Sequence, residues 1–438
     1  MQADKTTIND LSIFQRDEEL SVFHHFNFAR TIGGKDWLRS LFSTPLDTLT
    51  DINDTQRIIK RIIACHKQWP EGITNGTIMV VEKFFENQVA DIPVNANAVT
   101  AALYKLSNGP DYSLIRYSVK HFLDFVRTMH QLVTLLKAND NPKPLVTMLQ
   151  KIELLLGKPV AVKMAEWPAD KKLSIADVLH FGQFVKRHFR HEMLDLVDLY
   201  SQLDAYYSMA TAHMQYQLAF PEFIESAQPA FEVKELYHPL LSTPVAYDIA
   251  LSPEQNFLFL TGANMAGKST FIKAVGVSVF LAHLGMGVPA NYMKLSLFDG
   301  LLSNIQVEDN IIKGESFFFN EVQRIRKTID KISDGKKWLI LIDELFKGTN
   351  VQDAMKCSTT VIEGLRKMKN AQFILSTHLY EIGDSLKQYP NIIFRYFETE
   401  VNDDQLVFSY HLKEGISNDR LGYLILKREG VVNMLEKL

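Results

Sequence analysis

Gly262-Ala263-Asn264-Met265-Ala266-Gly267-Lys268-Ser269-Thr270 fits the spacing G-x-x-x-x-G-K-[ST], the Walker A pattern of a phosphate-binding loop. The apolar run Phe257-Leu258-Phe259-Leu260 precedes it, as a strand feeding such a loop should. In this pattern the backbone N–H groups curl around the α- and β-phosphates. Lys268 reaches the β/γ oxygens, and the Ser269 hydroxyl can hold Mg²⁺. The helix expected from Thr270 through Ala274 adds the positive end of its dipole. The competing reading is a chance Gly-Lys-Ser turn. The strand before and the helix after weigh against it. Alone, the loop specifies nucleotide binding and not the use made of the energy.

Two further strand ends supply groups that suit hydrolysis. Trp338-Leu339-Ile340-Leu341-Ile342 is a continuous apolar run, as expected of a strand buried on both faces of a parallel sheet. It ends in Asp343-Glu344, a Walker B arrangement. Asp343 lies at the carboxyl end, where such sheets bind ligands, and can support the Mg²⁺ shell. Glu344 is placed to orient or deprotonate an attacking water. Solvated carboxylates at an ordinary strand end are the bland alternative. Phe373-Ile374-Leu375-Ser376-Thr377-His378 is a third such run, and His378 could hydrogen-bond a γ-phosphate oxygen. A lone strand-end histidine is more often structural. Its place at the same sheet edge favours the functional reading.

The chain's 438 residues suffice for two or three domains with large cores. A hydrophobic share of 46% against 22% charged is the balance of a water-soluble chain. Cys65 and Cys357 stand far apart in no metal-binding spacing, which points to a reducing, cytoplasmic compartment without a disulfide framework. The N-terminal residues have no basic-then-apolar leader pattern. The longest apolar stretch, Ala274 to Ala290, is broken by His283 and three glycines, so no membrane span is expected. The net charge of −4 provides no global field for nucleic acid, so any DNA contact must be local.

Pro221 and Ala227-Gln228-Pro229 break the periodicity. Residues 1–228 read as a helical domain and 229–438 as an α/β domain of strands alternating with helices. The fold class expected is therefore mixed, an all-α part followed by an α/β phosphate-loop ATPase domain. Leu196, Tyr200, Leu203, Tyr207, Ala210 and Met214 recur at alternating spacings of four and three, a seam on one long helix. Packing within a bundle explains that seam better than a dimeric coiled coil. Other helices are expected around Asp54 to Lys67, Tyr112 to Ala138 and Pro144 to Leu156. The densest basic cluster, Lys186-Arg187-His188-Phe189-Arg190-His191, is more often a solvated helix face than a DNA contact.

At this level of detail the C-terminal half resembles the MutS family of DNA mismatch-repair ATPases, of the ABC-type ATPase class. GANMAGKST is similar to the family's G-P-N-M-G-G-K-S-T, DELFKGTN to D-E-L-G-R-G-T-S, and STHLYEI to A-T-H-Y-x-E-L. Between them come Val288-Pro289-Ala290, Phe298-Asp299, Asp309, and then Gly314, Ser316, Phe318 and Glu321 in the family's G-x-S-x-F-x-x-E order. Tyr237-His238-Pro239 is similar to the R-H-P that opens the family's ATPase domain. LSIFQ, GKDWLRSLFSTPL and LDAYYSMA look like its core and lever helices. The family's Gly-Arg after D-E-L is Phe346-Lys347 here, and its Ser-Tyr-Gly is Arg420-Leu421-Gly422.

The resemblance implies ATP and Mg²⁺ as ligands and a homodimer in which Gly314 and Ser316 face the partner's phosphate loop. It implies DNA as partner, in mismatch repair or a related repair or recombination process. The chain begins close to the core-like segments, so no mismatch-reading domain is expected, and contacts to the DNA backbone are expected rather than mismatch selectivity. Two other function classes stay open. One is an ATP-switched interaction protein that binds no DNA, which the charge balance allows. The other is a transporter-type ATPase subunit, against which stand the missing L-S-G-G-Q sequence and the non-membranous helical half.

Overall fold

The computed structural model describes residues 1–94, 96–305, 317–402, 405–417 and 431–435. The first half runs β1 (Gln2–Ala3), α1 (Lys5–Asp10), α2 (Val22–His25), α3 (Ile32–Ser43), α4 (Leu49–Cys65), α5 (Asn75–Glu86), α6 (Ala98–Ser107), α7 (Gly109–Leu136), α8 (Lys143–Leu156), α9 (Pro159–Ala165), α10 (Ile175–His188) and α11 (Arg190–Gln215). The second half runs β2 (Glu222–Ile224), β3 (Phe231–Leu236), β4 (Tyr247–Leu251), β5 (Phe257–Thr261), α12 (Lys268–Ala282), β6 (Tyr292–Ser296), β7 (Gly300–Asn304), α13 (Phe317–Ile332), β8 (Trp338–Asp343), α14 (Val351–Leu365), β9 (Ala371–Ser376), α15 (Glu381–Leu386), β10 (Ile392–Asn402), β11 (Gln405–Glu414) and α16 (Val431–Leu435). A helical N-terminal region is thus followed by an α/β domain with a mixed sheet. Among the described residues no helix is long and apolar enough to cross a membrane.

The chain divides into two compact units. One comprises Met1–His25, Thr44–Asn53 and Tyr216–Leu438, the other Phe26–Ser43 and Asp54–Gln215. In the helical unit α7 is the spine on which α5, α9 and α10 pack, while α3 lies along α11. The seam on α11 is buried at Leu196, Tyr200, Leu203, Tyr207 and Ala210, with Met214 at the helix end 41% exposed, while α3 meets a neighbouring face, where Gly33 and Gly34 close on Ser201 and Asp204. Buried Asp204 fastens the pair. Its carboxylate accepts from Arg30 N (3.0 Å), Thr31 N (2.8 Å) and Thr31 Oγ1 (2.7 Å) at the start of α3. The basic cluster at the α10–α11 junction is largely engaged in holding the unit together. Lys186 Nζ donates to Phe84 O and Asn87 O, both at 2.7 Å. Arg187 pairs with Asp91, and Arg190 lies 5.8 Å over the Phe85 ring.

The α/β unit holds a seven-stranded sheet in the order β1-β7-β8-β9-β5-β10-β11. All its pairings are parallel except β10 with β11. A second sheet has the order β2-β6-β3-β4. Every residue of β5 and β9 is buried, as is β8 up to Ile342, which is why these strands read as unbroken apolar runs. β9 lies between β5 and β8, so three parallel carboxyl ends meet at one edge.

Candidate functional site

β5 ends at Thr261, and the chain then turns through Gly262–Gly267 into α12. Gly262 and Gly267 have φ of 139° and 108°, and Met265 has φ of 67°. Gly267 is the N-cap of α12 and needs its glycine on conformational grounds. The free amides at the start of α12 make an anion-binding end. Lys268, its first residue, is 7% exposed. Its Nζ donates to the loop carbonyls of Gly262 (2.7 Å) and Ala263 (2.8 Å) and stands 3.5 Å from His378 Nε2. Burial pulls the Lys268 pKa down to about 8, against the opposing pull of Asp343 and Glu344.

The β8–β9 register pairs Asp343 with Ser376. Asp343 Oδ1 accepts from Ser376 Oγ, and its Oδ2 accepts from Ser269 Oγ at 2.5 Å. The candidate metal-holding pair from the two Walker segments is therefore in direct contact. Glu344 follows with φ of 66°, and its carboxylate lies 3.2 Å from Lys347 Nζ. His378 follows β9. Burial, and after it the Lys268 charge, lower its pKa below the usual histidine value, so its ring is mainly neutral at pH 7.

A cavity of about 510 Å³ gathers these groups. Asn264, Met265, Gly267, Lys268, Ser269, Thr270, Asp343, Glu344, Lys347 and His378 line it. Gly262, Ala263 and Ala266 belong to the same loop without lining the cavity, the two alanines being buried beneath it. Gly314 and Ser316 lie outside the described residues. Leu241, Thr243, Val245, Tyr247 and Tyr410, which no spacing in the sequence singled out, also line the cavity. Tyr247 is buried against Phe271 and Phe397, with ring centroids 5.4 and 5.6 Å away. Apolar and aromatic side chains beside a phosphate loop suit a flat heterocycle. The only trace in sequence is that Tyr247 opens β4, whose alternating burial turns it inward.

The donors also fit Mg²⁺. This ion takes hard oxygen ligands and is usually held by one or two carboxylates plus substrate phosphates and water. Asp343 and Ser269 supply a carboxylate and a hydroxyl at the mouth of the loop. Among the described residues no group of three or more His, Cys, Asp or Glu forms a self-sufficient metal cage.

The family model for MutS domain V matches residues 258–435, which takes in β5 from its second residue, the loop, α12, β8 and β9. Over 249 residues the chain is 30% identical to the DNA mismatch repair protein MutS of Oceanobacillus iheyensis, covering 55% of this chain and 28% of that relative. It is 30% identical over 241 residues to the MutS protein homolog 4 of Homo sapiens, covering 52% of this chain and 25% of that one. The matched region of this chain spans less than a third of the length of these curated relatives. The segment that carries the phosphate loop, Asp343, Glu344 and His378 is thus similar to domain V of MutS proteins.

Proposed function

We propose that the protein is an ATPase whose nucleotide state governs DNA binding in mismatch repair or a related repair or recombination process. The observation that carries the ATPase reading is the convergence of Lys268, Ser269, Asp343, Glu344 and His378 on one cavity. Lys268 would release the carbonyls of Gly262 and Ala263 and neutralise β/γ oxygens, which keeps its proton in place. Bound Mg²⁺ would neutralise negative charge on the phosphates. Ser269 and Asp343 would hold that ion, and Ser376 keeps the Asp343 carboxylate oriented. Glu344, once parted from Lys347, would take a proton from water as the water oxygen attacks the γ-phosphorus in line. The bond to the bridging oxygen breaks, giving ADP and phosphate. Neutral His378 could donate to a γ-oxygen and sense its departure. In this reading residues 229–438 carry the ATPase, and the helical residues before them act as core and lever. The chain works as a homodimer in which Gly314 and Ser316 complete the partner's site.

The DNA reading is supported by the names of the relatives and by one surface of the helical unit. A cleft there is lined by Arg116, Lys120, Arg127, Lys171 and Lys172, with Asp124 and Asp170 among them. Arg127 is committed to Asp124 (2.9 Å) and Trp167 O (2.8 Å), and Lys171 lies 4.7 Å over the Trp167 ring. Arg116 and Lys120 are exposed one helical turn apart on α7 and suit phosphate contacts. The net charge of −4 favours the rival reading, an ATP-switched protein that binds no DNA. The test compares wild type, Lys268→Ala and the double variant Arg116→Glu/Lys120→Glu. ATP turnover is expected to vanish only in Lys268→Ala. Duplex or four-way-junction affinity should fall with salt, change with ATP in the wild type, and drop in the double variant. Wild-type turnover by Lys268→Ala sinks the ATPase reading, and no DNA binding even at low salt moves the rival reading first.

A further inference from the structure

The loop after β8 holds a costly backbone. Glu344 and Phe346 have left-handed φ of 66° and 60°, although both carry a Cβ. Such conformations persist where their surroundings over-determine them, and they gather at functional sites. Here the surroundings are two side chains from the first turns of α13. The Phe318 ring centroid is 5.7 Å from that of Phe346. Glu321, 2% exposed, accepts from Lys347 N and Gly348 N, both at 3.3 Å. Burial raises the pKa of this carboxyl, and the amides of Lys347, Gly348 and Phe346 oppose the shift. The Glu321 carboxylate does not line the ATP cavity, so substrate contact does not account for it. What it does touch is the loop that carries Glu344 and its ion-pair partner Lys347. In the sequence, α13 begins directly after Gly314 and Ser316.

We propose that Glu321 is a positioning residue for hydrolysis: by fixing the amides of residues 347 and 348 it sets the Glu344 carboxylate, and it ties that carboxylate to the placement of α13. The proposal rests on Glu344 acting as the base. Misplacing a reacting group by about 1 Å costs on the order of a hundredfold in rate, which is the size of effect at stake.

The test uses the full chain with Glu321→Ala and Glu321→Gln. Four quantities are read: steady-state kcat and KM for ATP, affinity for a non-hydrolysable ATP analogue, and amide hydrogen exchange over residues 345–350. For Glu321→Ala, kcat should fall roughly a hundredfold with analogue affinity unchanged, and the loop amides should lose protection. Glu321→Gln keeps one acceptor oxygen and the side-chain volume, so its kcat and protection should be intermediate. A merely structural residue would lower affinity and kcat together, without rescue by glutamine. That pattern, or wild-type kcat in Glu321→Ala, overturns the proposal. If the wild-type chain hydrolyses no ATP, the reading of Glu344 fails instead. Unchanged exchange in Glu321→Ala then overturns the anchoring itself.

Discussion

Lys268 gives the site a pH signature whose sign follows from its burial. In the protein alone its pKa is about 8, because desolvation disfavours the ammonium more than Asp343 and Glu344 favour it. A bound polyphosphate favours the charged form, so the complex keeps this proton to higher pH than the free protein does. Binding above pH 8 therefore takes up a proton, and affinity falls as pH rises, by at most about tenfold per unit. Titrating analogue affinity from pH 7 to 9.5 checks this, and a flat profile would place the lysine outside the phosphate site. Glu344 yields a separate prediction. Glu344→Gln removes the proton acceptor while Asp343 keeps its contacts to Ser269 and Ser376. ATP should still bind, and single-turnover hydrolysis should slow by roughly a hundredfold or more, the scale of losing a general base. Normal turnover would assign the base elsewhere.

Among the elements, the strands that position the site were legible because burial on both faces forces unbroken apolar runs. The runs beginning at Phe257 and Trp338 are β5 and β8, and the run beginning at Phe373 falls in β9, which starts two residues earlier at Ala371 and ends at Ser376, before His378. The aromatic lining was not legible, since Tyr247 and Tyr410 reach the cavity from different strands and share no spacing. Nor was β1, whose two residues form a strand only because β7 offers them a parallel edge. Pairings of this kind are tertiary events that local composition does not encode. The β7–β8 pairing supplies an element-scale prediction. Gly300 stands opposite Trp338, and a Cβ on it would lie 2.0 Å from the indole ring. That ring is fully buried, and its Nε1 is fixed to Asp334 Oδ1 at 2.9 Å, so it has little room to yield. Gly300→Ala should destabilise the α/β unit by about 1–3 kcal/mol, the usual cost of overpacking a core. A lowered urea midpoint at constant m is the expected readout, and an unchanged midpoint would mean that the ring moves aside cheaply.

For the whole molecule, the question is whether one chain holds a complete site. The cavity gathers the nucleotide-binding and catalytic candidates from one chain, yet the resemblance of the 314–321 segment to the family implies a second chain facing each phosphate loop. A hydroxyl flanked by backbone amides, as Ser316 would offer, contacts an anion fully only after association. In a closed two-fold dimer each site would take Lys268 from one chain and Ser316 from the other. Ser316→Arg and Lys268→Ala chains should each be inactive alone. Mixed, they form a dimer with one site carrying both lesions and one carrying neither. Random equimolar exchange should therefore restore on the order of a quarter of the wild-type sites, if both variants dimerise equally well. Turnover per chain, measured after mixed dimers are verified by differential tagging, checks this. No recovery in verified mixed dimers would mean that each chain completes its own site, and ATP could then not report on dimer geometry through Ser316.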